Sequence, residues 1–245
     1  MSLMKNLKTK DNLELDQDRL GGRQMFETDV YDATVTYAFL DVADSGAISI
    51  NFQIKTEDGR THNQTEYMTS GEKKGCKNTY TDSNGKEHYL PGFVLGNTLA
   101  LLTVGEEIGD LDTDEKVINL YNREEKKELP TKVNMLVDMV GEQVKVAIEK
   151  QVVDKQVKND AGKYVASGET REINAVTKVF RHRDGMTVTE IKAKAEEPNF
   201  MQMWIEKNKG QLINKAKGAA DNGATKGAPK KADSAKSSVK SLFAK

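Results

Sequence analysis

A mainly β fold with peripheral helices is predicted for this 245-residue chain, in the form of a five-stranded Greek-key barrel of OB type. Three observations predict it. Two segments, Tyr31–Phe39 and Ile48–Lys55, alternate apolar and polar residues at a period of two, and each is followed by a turn dipeptide, Ser45-Gly46 and Asp58-Gly59. A third, weaker strand at Thr61–Met68 is followed by an apolar stretch with helical spacing. Further alternating strands come after that helix. Other small barrels and sandwiches fit the same order of elements.

Residues 1–28 are mostly polar and broken by Gly21-Gly22, so a flexible arm is expected there. In the first strand Tyr31, Ala33, Val35, Tyr37 and Phe39 are predicted to share one face. In the second, Ile48, Ile50, Phe52 and Ile54 do so. With the third they form an antiparallel meander with one buried side. Phe93, Leu95, Leu99 and Leu102 mark a short helix after Pro91-Gly92, stopped at Gly105. Asp112–Glu115 is read as a helical turn before a short strand at Val117–Tyr121, and Leu136, Val137 and Val140 as another turn ending at Gly141. Val144, Val146 and Ile148 open a long strand running toward Val157. After Asp160–Gly162, the returning strand is expected to face inward through Ile173, Ala175, Thr177 and Val179.

Thr187 and Glu190 have the spacing of a capping box over a helix at Val188–Ala195. Phe200, Met203 and Trp204 fall on one side of a second helix after Pro198, with Trp204 expected to pack on the barrel. From about Lys215 the chain is Lys, Ala, Gly and Ser, too poor in apolar surface to order itself. The expected organisation is an arm at 1–28, a barrel at 29–185 with an inserted loop at 71–92, helices at 186–212 and a disordered basic tail at 213–245.

Net charge is only −1, but it is unevenly spread. From Lys207 onward ten lysines stand against Asp221 and Asp233, giving +8, so the first 206 residues carry −9. The single Cys76 excludes an internal disulfide. No apolar run reaches transmembrane length and no signal-peptide segment opens the chain, so a cytoplasmic protein with no membrane partner is expected.

Catalytic chemistry is thin. His62, His88, His182 and Cys76 lack a zinc spacing, and a Cys76/His88/His62 set has less sulfur than structural zinc takes. Gly71–Lys77 lacks the spacing of a phosphate loop, and no HExxH, GxSxG or dinucleotide fingerprint is present. No enzymatic activity, metal or cofactor is expected; a metal-dependent nuclease built on carboxylates is an alternative.

Binding chemistry is richer. Within residues 71–92, Lys73, Lys74, Lys77 and Lys86 are interleaved with Tyr80, Tyr89 and His88 around Asp82–Gly85, whose Asn84-Gly85 suits a tight hairpin turn. The stretch is too polar for a core yet carries flat rings. Ammonium groups beside exposed rings suit a flexible polyanion: the lysines meet phosphates and the rings stack on bases of any identity. The plain alternative is a solvated loop with its tyrosines folded back. Lys145, and Arg181 with its neighbours Lys178, His182 and Arg183, add cations, while Lys126, Lys127 and Lys132 flank the middle strands. An acidic body repels a polyanion, so binding requires these cations to gather in one groove. A protein-interaction adaptor with incidental nucleic-acid contact is the reading from another class.

Several ordered blocks, spanning roughly residues 1–215, carry a resemblance: Asp29–Ala33 (DVYDA), Met68–Gly71 (MTSG), Lys74–Asn78 (KGCKN), Tyr89–Phe93 (YLPGF), Leu101–Gly105 (LLTVG), Leu129–Val133 (LPTKV) and Gly168–Glu172 (GETRE). Together the chain resembles the single-stranded DNA-binding proteins of podoviruses. The resemblance implies an OB-type fold and coating of single-stranded DNA during phage replication and recombination in the infected bacterial cell, with Tyr80 as the stacking residue and Tyr89 second. Many replicative proteins of this kind end in an acidic tail that recruits partners. Here the corresponding stretch is basic and carries Lys240, Leu242, Phe243 and Lys245. It is expected either to strengthen DNA binding electrostatically or to dock a protein such as host RNA polymerase or a phage replication factor.

Overall fold

The computed structural model of the protein describes residues 25–122, 125–160, 162 and 164–217. These residues fall in two compact units, 25–152 with 172–214, and 153–171 with 215–217. The arm up to residue 24 and the tail from residue 218, with Lys240, Leu242, Phe243 and Lys245, lie outside the described residues.

In chain order the elements are β1 (Asp29–Val42), β2 (Ile48–Thr56), β3 (Thr61–Tyr67), β4 (Thr79–Thr81), β5 (Glu87–Tyr89), α1 (Pro91–Thr103), β6 (Asp114–Asn122), β7 (Lys127–Met135), β8 (Gln143–Lys158), β9 (Tyr164–Arg181), α2 (Val188–Lys192), α3 (Phe200–Asn208) and β10 (Leu212–Asn214). The fold is mainly β. Among the described residues the main sheet has eight strands, in the order β10-β8-β1-β2-β3, with β9 on β8, β7 on β1 and β6 on β7. β4 and β5 make a separate hairpin. The pairings of β1 with β2, β7 and β8 are antiparallel, whereas β10 runs parallel to β8. The strand count exceeds the expected five because the β6–β7 hairpin and β10 join the sheet, and the backbone ladder does not close into a ring.

Side chains span the gap between β3 and β9. The Gln64 carboxamide behaves like a strand residue: its Oε1 accepts from the Val176 N–H at 2.7 Å and its Nε2 donates to the Val176 carbonyl at 3.0 Å. The Asn174 carboxamide makes the same double bond to the backbone of Phe26, at 2.9 and 2.7 Å. Gln64→Leu keeps the volume but strips Val176 of both partners. A buried backbone group without a partner costs about 1–3 kcal/mol, so urea unfolding should show a loss of that order; an unchanged midpoint would mean the seam is not bridged in this way.

The main core joins Val35 and Ala38 of β1, Ile50, Phe52 and Ile54 of β2, Leu99 and Ala100 of α1, and Val144, Val146 and Ile148 of β8. α1 lies hard against the sheet: a Cβ at Gly92 would sit 2.2 Å from the carbonyl oxygen of Tyr67, so only glycine permits this approach. The helix therefore starts at the end of β3, directly after the β4–β5 hairpin.

Three sequence expectations need correction, and one strand, β7, had none. The β1–β2 register shifts between Val35 and Tyr37, and one extra residue reverses the side-chain alternation. Val35 and Ala38 consequently face the main core, while Tyr37 and Phe39 turn to a second cluster with Val133, Met135, Ile118 and Leu120. On β9 the buried residues are Val176, Val179 and Phe180, so the expected strict alternation through Ile173, Ala175, Thr177 and Val179 is broken. Asp114 and Glu115 belong to β6, whose pairing with β7 overrides any helical turn. β7 itself gave no signal because Pro130 and scattered charges mask it; proline is tolerated here since β7 meets β1 only through Met135 and Asn134.

At the C-terminal side the Thr187–Glu190 capping box is present, with Glu190 N donating to Thr187 Oγ1 at 3.2 Å and Thr187 N donating to Glu190 Oε2 at 2.8 Å; α2 ends at Lys192 rather than Ala195. Trp204 is buried with Ala147 and Phe180. Nothing in the sequence announced β10, which Thr28 clasps: its hydroxyl donates to the Gln211 carbonyl at 2.6 Å and accepts from Lys150 N at 2.8 Å.

Candidate nucleic-acid interface

The hairpin at Thr79–Tyr89 is built by its turn. Asp82 Oδ1 accepts from the N–H groups of Asn84 and Lys86 at 2.8 and 2.9 Å, Asp82 N donates to the Lys86 carbonyl at 2.9 Å, and Gly85 takes φ of 80°. The other oxygen of Asp82 lies 3.0 Å from His88 Nε2. His88 sits opposite Tyr80 in the register, and their rings are 5.6 Å apart and tilted by 30°. A chain of contacts thus runs from the turn carboxylate through the imidazole to the phenol ring, which is 46% exposed. The preceding loop is tied down as well: Glu72 N donates to the Ser45 carbonyl and Ser70 N to the Lys77 carbonyl, both at 2.8 Å.

Lys73, Lys74, Lys77 and Lys86 are all exposed, and none of them is within 4.0 Å of a carboxylate among the described residues. Their charges are available to a ligand. Tyr89 differs from Tyr80. It pairs with Thr79, one rung from the Tyr80–His88 pair, so alternation puts the two tyrosines on opposite faces of the hairpin. Tyr89 is 58% exposed and packs one side of its ring on Phe93, at 5.1 Å.

Several of the other expected cations already have carboxylate partners. Lys145 is half-buried and ion-paired with Asp32, and His182 Nδ1 approaches the same carboxylate oxygen at 3.2 Å. Arg181 grips Asp184 through Nε at 3.0 Å and Nη2 at 2.6 Å; that hydrogen-bonded pairing holds the Asp184 carboxyl below the usual carboxylate range. Lys127 lies 3.4 Å from Glu125 and Lys132 2.8 Å from Glu115. A carboxylate 113 positions away, Asp32, occupies Lys145, which a linear reading could not foresee.

Cys76 is exposed, His62 sits on β3 beside Gln64, and His88 pairs with Asp82. Among the described residues no three His, Cys, Asp or Glu side chains come together in a way that could hold a metal ion. No helix among them is long and apolar enough to cross a membrane.

Asp82 and His88 are the site residues whose roles the sequence reading missed. The signal was present, since an aspartate two residues ahead of Asn-Gly favours a side-chain-to-backbone turn. The backbone N–H of Lys86, with His88 next, lowers the Asp82 carboxyl below its ordinary range. A lowered folded-state pKa means the stabilisation is complete above the ordinary aspartate pKa of about 3.9 and disappears as pH falls through the lower folded value. The hairpin amides of Asn84 and Lys86 should therefore stay protected from exchange while free aspartates protonate. In Asp82→Ala that protection should already be absent at neutral pH, and retained protection there would contradict the bracing role.

No family model matches the chain, and no curated protein is detectably similar to it.

Proposed function

We propose that this protein is a noncatalytic coat for single-stranded DNA and that the β4–β5 hairpin and its lysine loop form the binding surface. The observation that carries the reading is an exposed, braced Tyr80 ring on a hairpin whose turn and preceding loop carry Lys73, Lys74, Lys77 and Lys86, none of them ion-paired with a carboxylate among the described residues. Rings and free ammonium groups together meet the two needs of a sequence-tolerant single-strand binder. The finer fold reading, an OB-type barrel, is supported by the order β9-β8-β1-β2-β3, by α1 falling after β3 and before β8 in the chain, and by the Gln64–Val176 link from β3 to β9. The resemblance of the sequence blocks to podovirus single-stranded DNA-binding proteins supports a role in phage replication and recombination in the bacterial cytoplasm. On this reading the basic tail recruits a partner such as host RNA polymerase or a replication protein through Lys240, Leu242, Phe243 and Lys245.

Each phosphate contact on a single strand contributes a slope of about −0.7 to log K against log salt, so four lysines give about −2.8 and roughly a 50-fold loss between 50 and 200 mM salt. Oligo-dT titrations over that range, with duplex DNA as competitor, test the proposal. A flat salt response, or equal affinity for single and double strands, would refute it.

A further inference from the structure

Tyr89 leaves the hairpin on the face away from Tyr80 and lines a groove of about 590 Å³ together with Val94 and Thr98 of α1, Lys178 of β9, Glu190 of α2 and Phe200 at the start of α3. Both rings are open to solvent, Tyr89 by 58% and Phe200 by 39%. Each is backed by another aromatic ring: Phe93 supports Tyr89, and Phe180, at 6.4 Å, supports Phe200. The Lys178 ammonium stands 5.9 Å from the centre of the Phe200 ring, and no carboxylate among the described residues is within ion-pair distance of it.

The acid in this groove is already occupied. Glu190 accepts hydrogen bonds from Thr187 N, Thr187 Oγ1, Asn199 N and Phe200 N, at 2.8, 2.9, 2.9 and 2.8 Å. Those four donors partly offset its charge toward an incoming phosphate, and one of them is the backbone of Phe200 itself. Glu190 is thus a positioning residue that holds the backbone at the start of α3, from which Phe200 projects.

We infer that this groove is a second base-binding platform for single-stranded DNA, with Tyr89 and Phe200 taking base faces and Lys178 a backbone phosphate. The inference rests on the single-strand reading above and extends it. A strand stacked on Tyr80 continues past the edge of the hairpin, because the next ring, one rung away, faces the opposite side. Two supported rings with a free cation between elements of fixed position offer sequence-tolerant stacking. An apolar peptide would leave Lys178 without a counter-charge, whereas a nucleotide supplies one.

The test uses the full chain and an oligo-dT carrying 4-thiothymidine as photocrosslinker. Crosslinks are expected at Tyr89 or Phe200 as well as at Tyr80. Phe200→Ala should weaken oligo-dT binding by about 5- to 150-fold, and Phe200→Leu, which keeps apolar bulk and controls for folding, should also weaken it while the melting temperature holds. Lys178→Ala should reduce the salt slope by about 0.7. If Tyr80→Ala weakens binding while Phe200→Leu and Lys178→Ala bind as the parent does, with crosslinks confined to 73–88, the groove is not a base platform and the hairpin reading survives. If Tyr80→Ala and both groove variants all bind normally, both readings fall together.

Discussion

Tyr80→Ala is expected to weaken oligo-dT binding by about 5- to 150-fold while leaving the thermal transition in place. The range follows from the ~1–3 kcal/mol that stacking on one aromatic ring contributes per base, at 1.4 kcal/mol per tenfold in affinity. Fold should be spared because the ring is 46% exposed and its partner within the hairpin is the half-buried His88. The hairpin is held by Asp82 and the backbone rather than by the phenol. Tyr80→Phe separates the contributions of the ring: it keeps the π-face, so affinity close to the parent is expected. Were Tyr80→Ala to bind oligo-dT with parental affinity, the hairpin could not be the stacking surface. Were Tyr80→Phe as weak as Tyr80→Ala, the hydroxyl and not the ring would be the recognised group.

Trp204→Ala should be the most damaging single truncation for stability, at about 3–5 kcal/mol. Its side chain is 7% exposed and fills the space between Ala147 of β8 and Phe180 of β9, with Val30, Met201 and Ile205 packed around it. Removing it leaves a cavity beneath α3, just before the Gly210 N–H that donates to the Thr28 carbonyl at 2.7 Å and before β10. For a chain of this size 1 kcal/mol moves the midpoint by ~2–4 °C, so calorimetry should show a fall of about 6–20 °C. A smaller shift would mean that α3 contributes little to the body. The burial also settles a spectroscopic point: Trp204 is not placed to stack on a base, so its emission should be blue-shifted and should respond little to oligo-dT, while tyrosine emission is quenched.

Much of the candidate site was legible because its geometry is local. Asp82, Asn84 and Gly85 specify the turn within four residues, and the register that follows sets Tyr80 against His88. Thr187 and Glu190 specified the start of α2 for the same reason. The opposite facing of Tyr80 and Tyr89 was less visible, since it depends on which residues pair across the turn. Lys145 and Arg181 read as cations equal to any others. Arg181 is neutralised three residues away by Asp184, a pairing the hairpin-like turn after β9 enforces, and Lys145 is neutralised by Asp32, a partner 113 positions distant.

From its order of residues alone this protein determines the first strands, the Asp82–Gly85 turn and the capping of α2, because each depends on groups a few positions apart. Tertiary structure decided which charges remain free, which face each ring presents and how the β3–β9 gap is spanned. A bulge of one residue in β1 reversed the facing of Tyr37 and Phe39, and a carboxamide on β3 satisfied a backbone 112 positions away. Ion pairs and ladder registers of that kind form between surfaces that meet only after the chain has folded, so the linear pattern carries no trace of them.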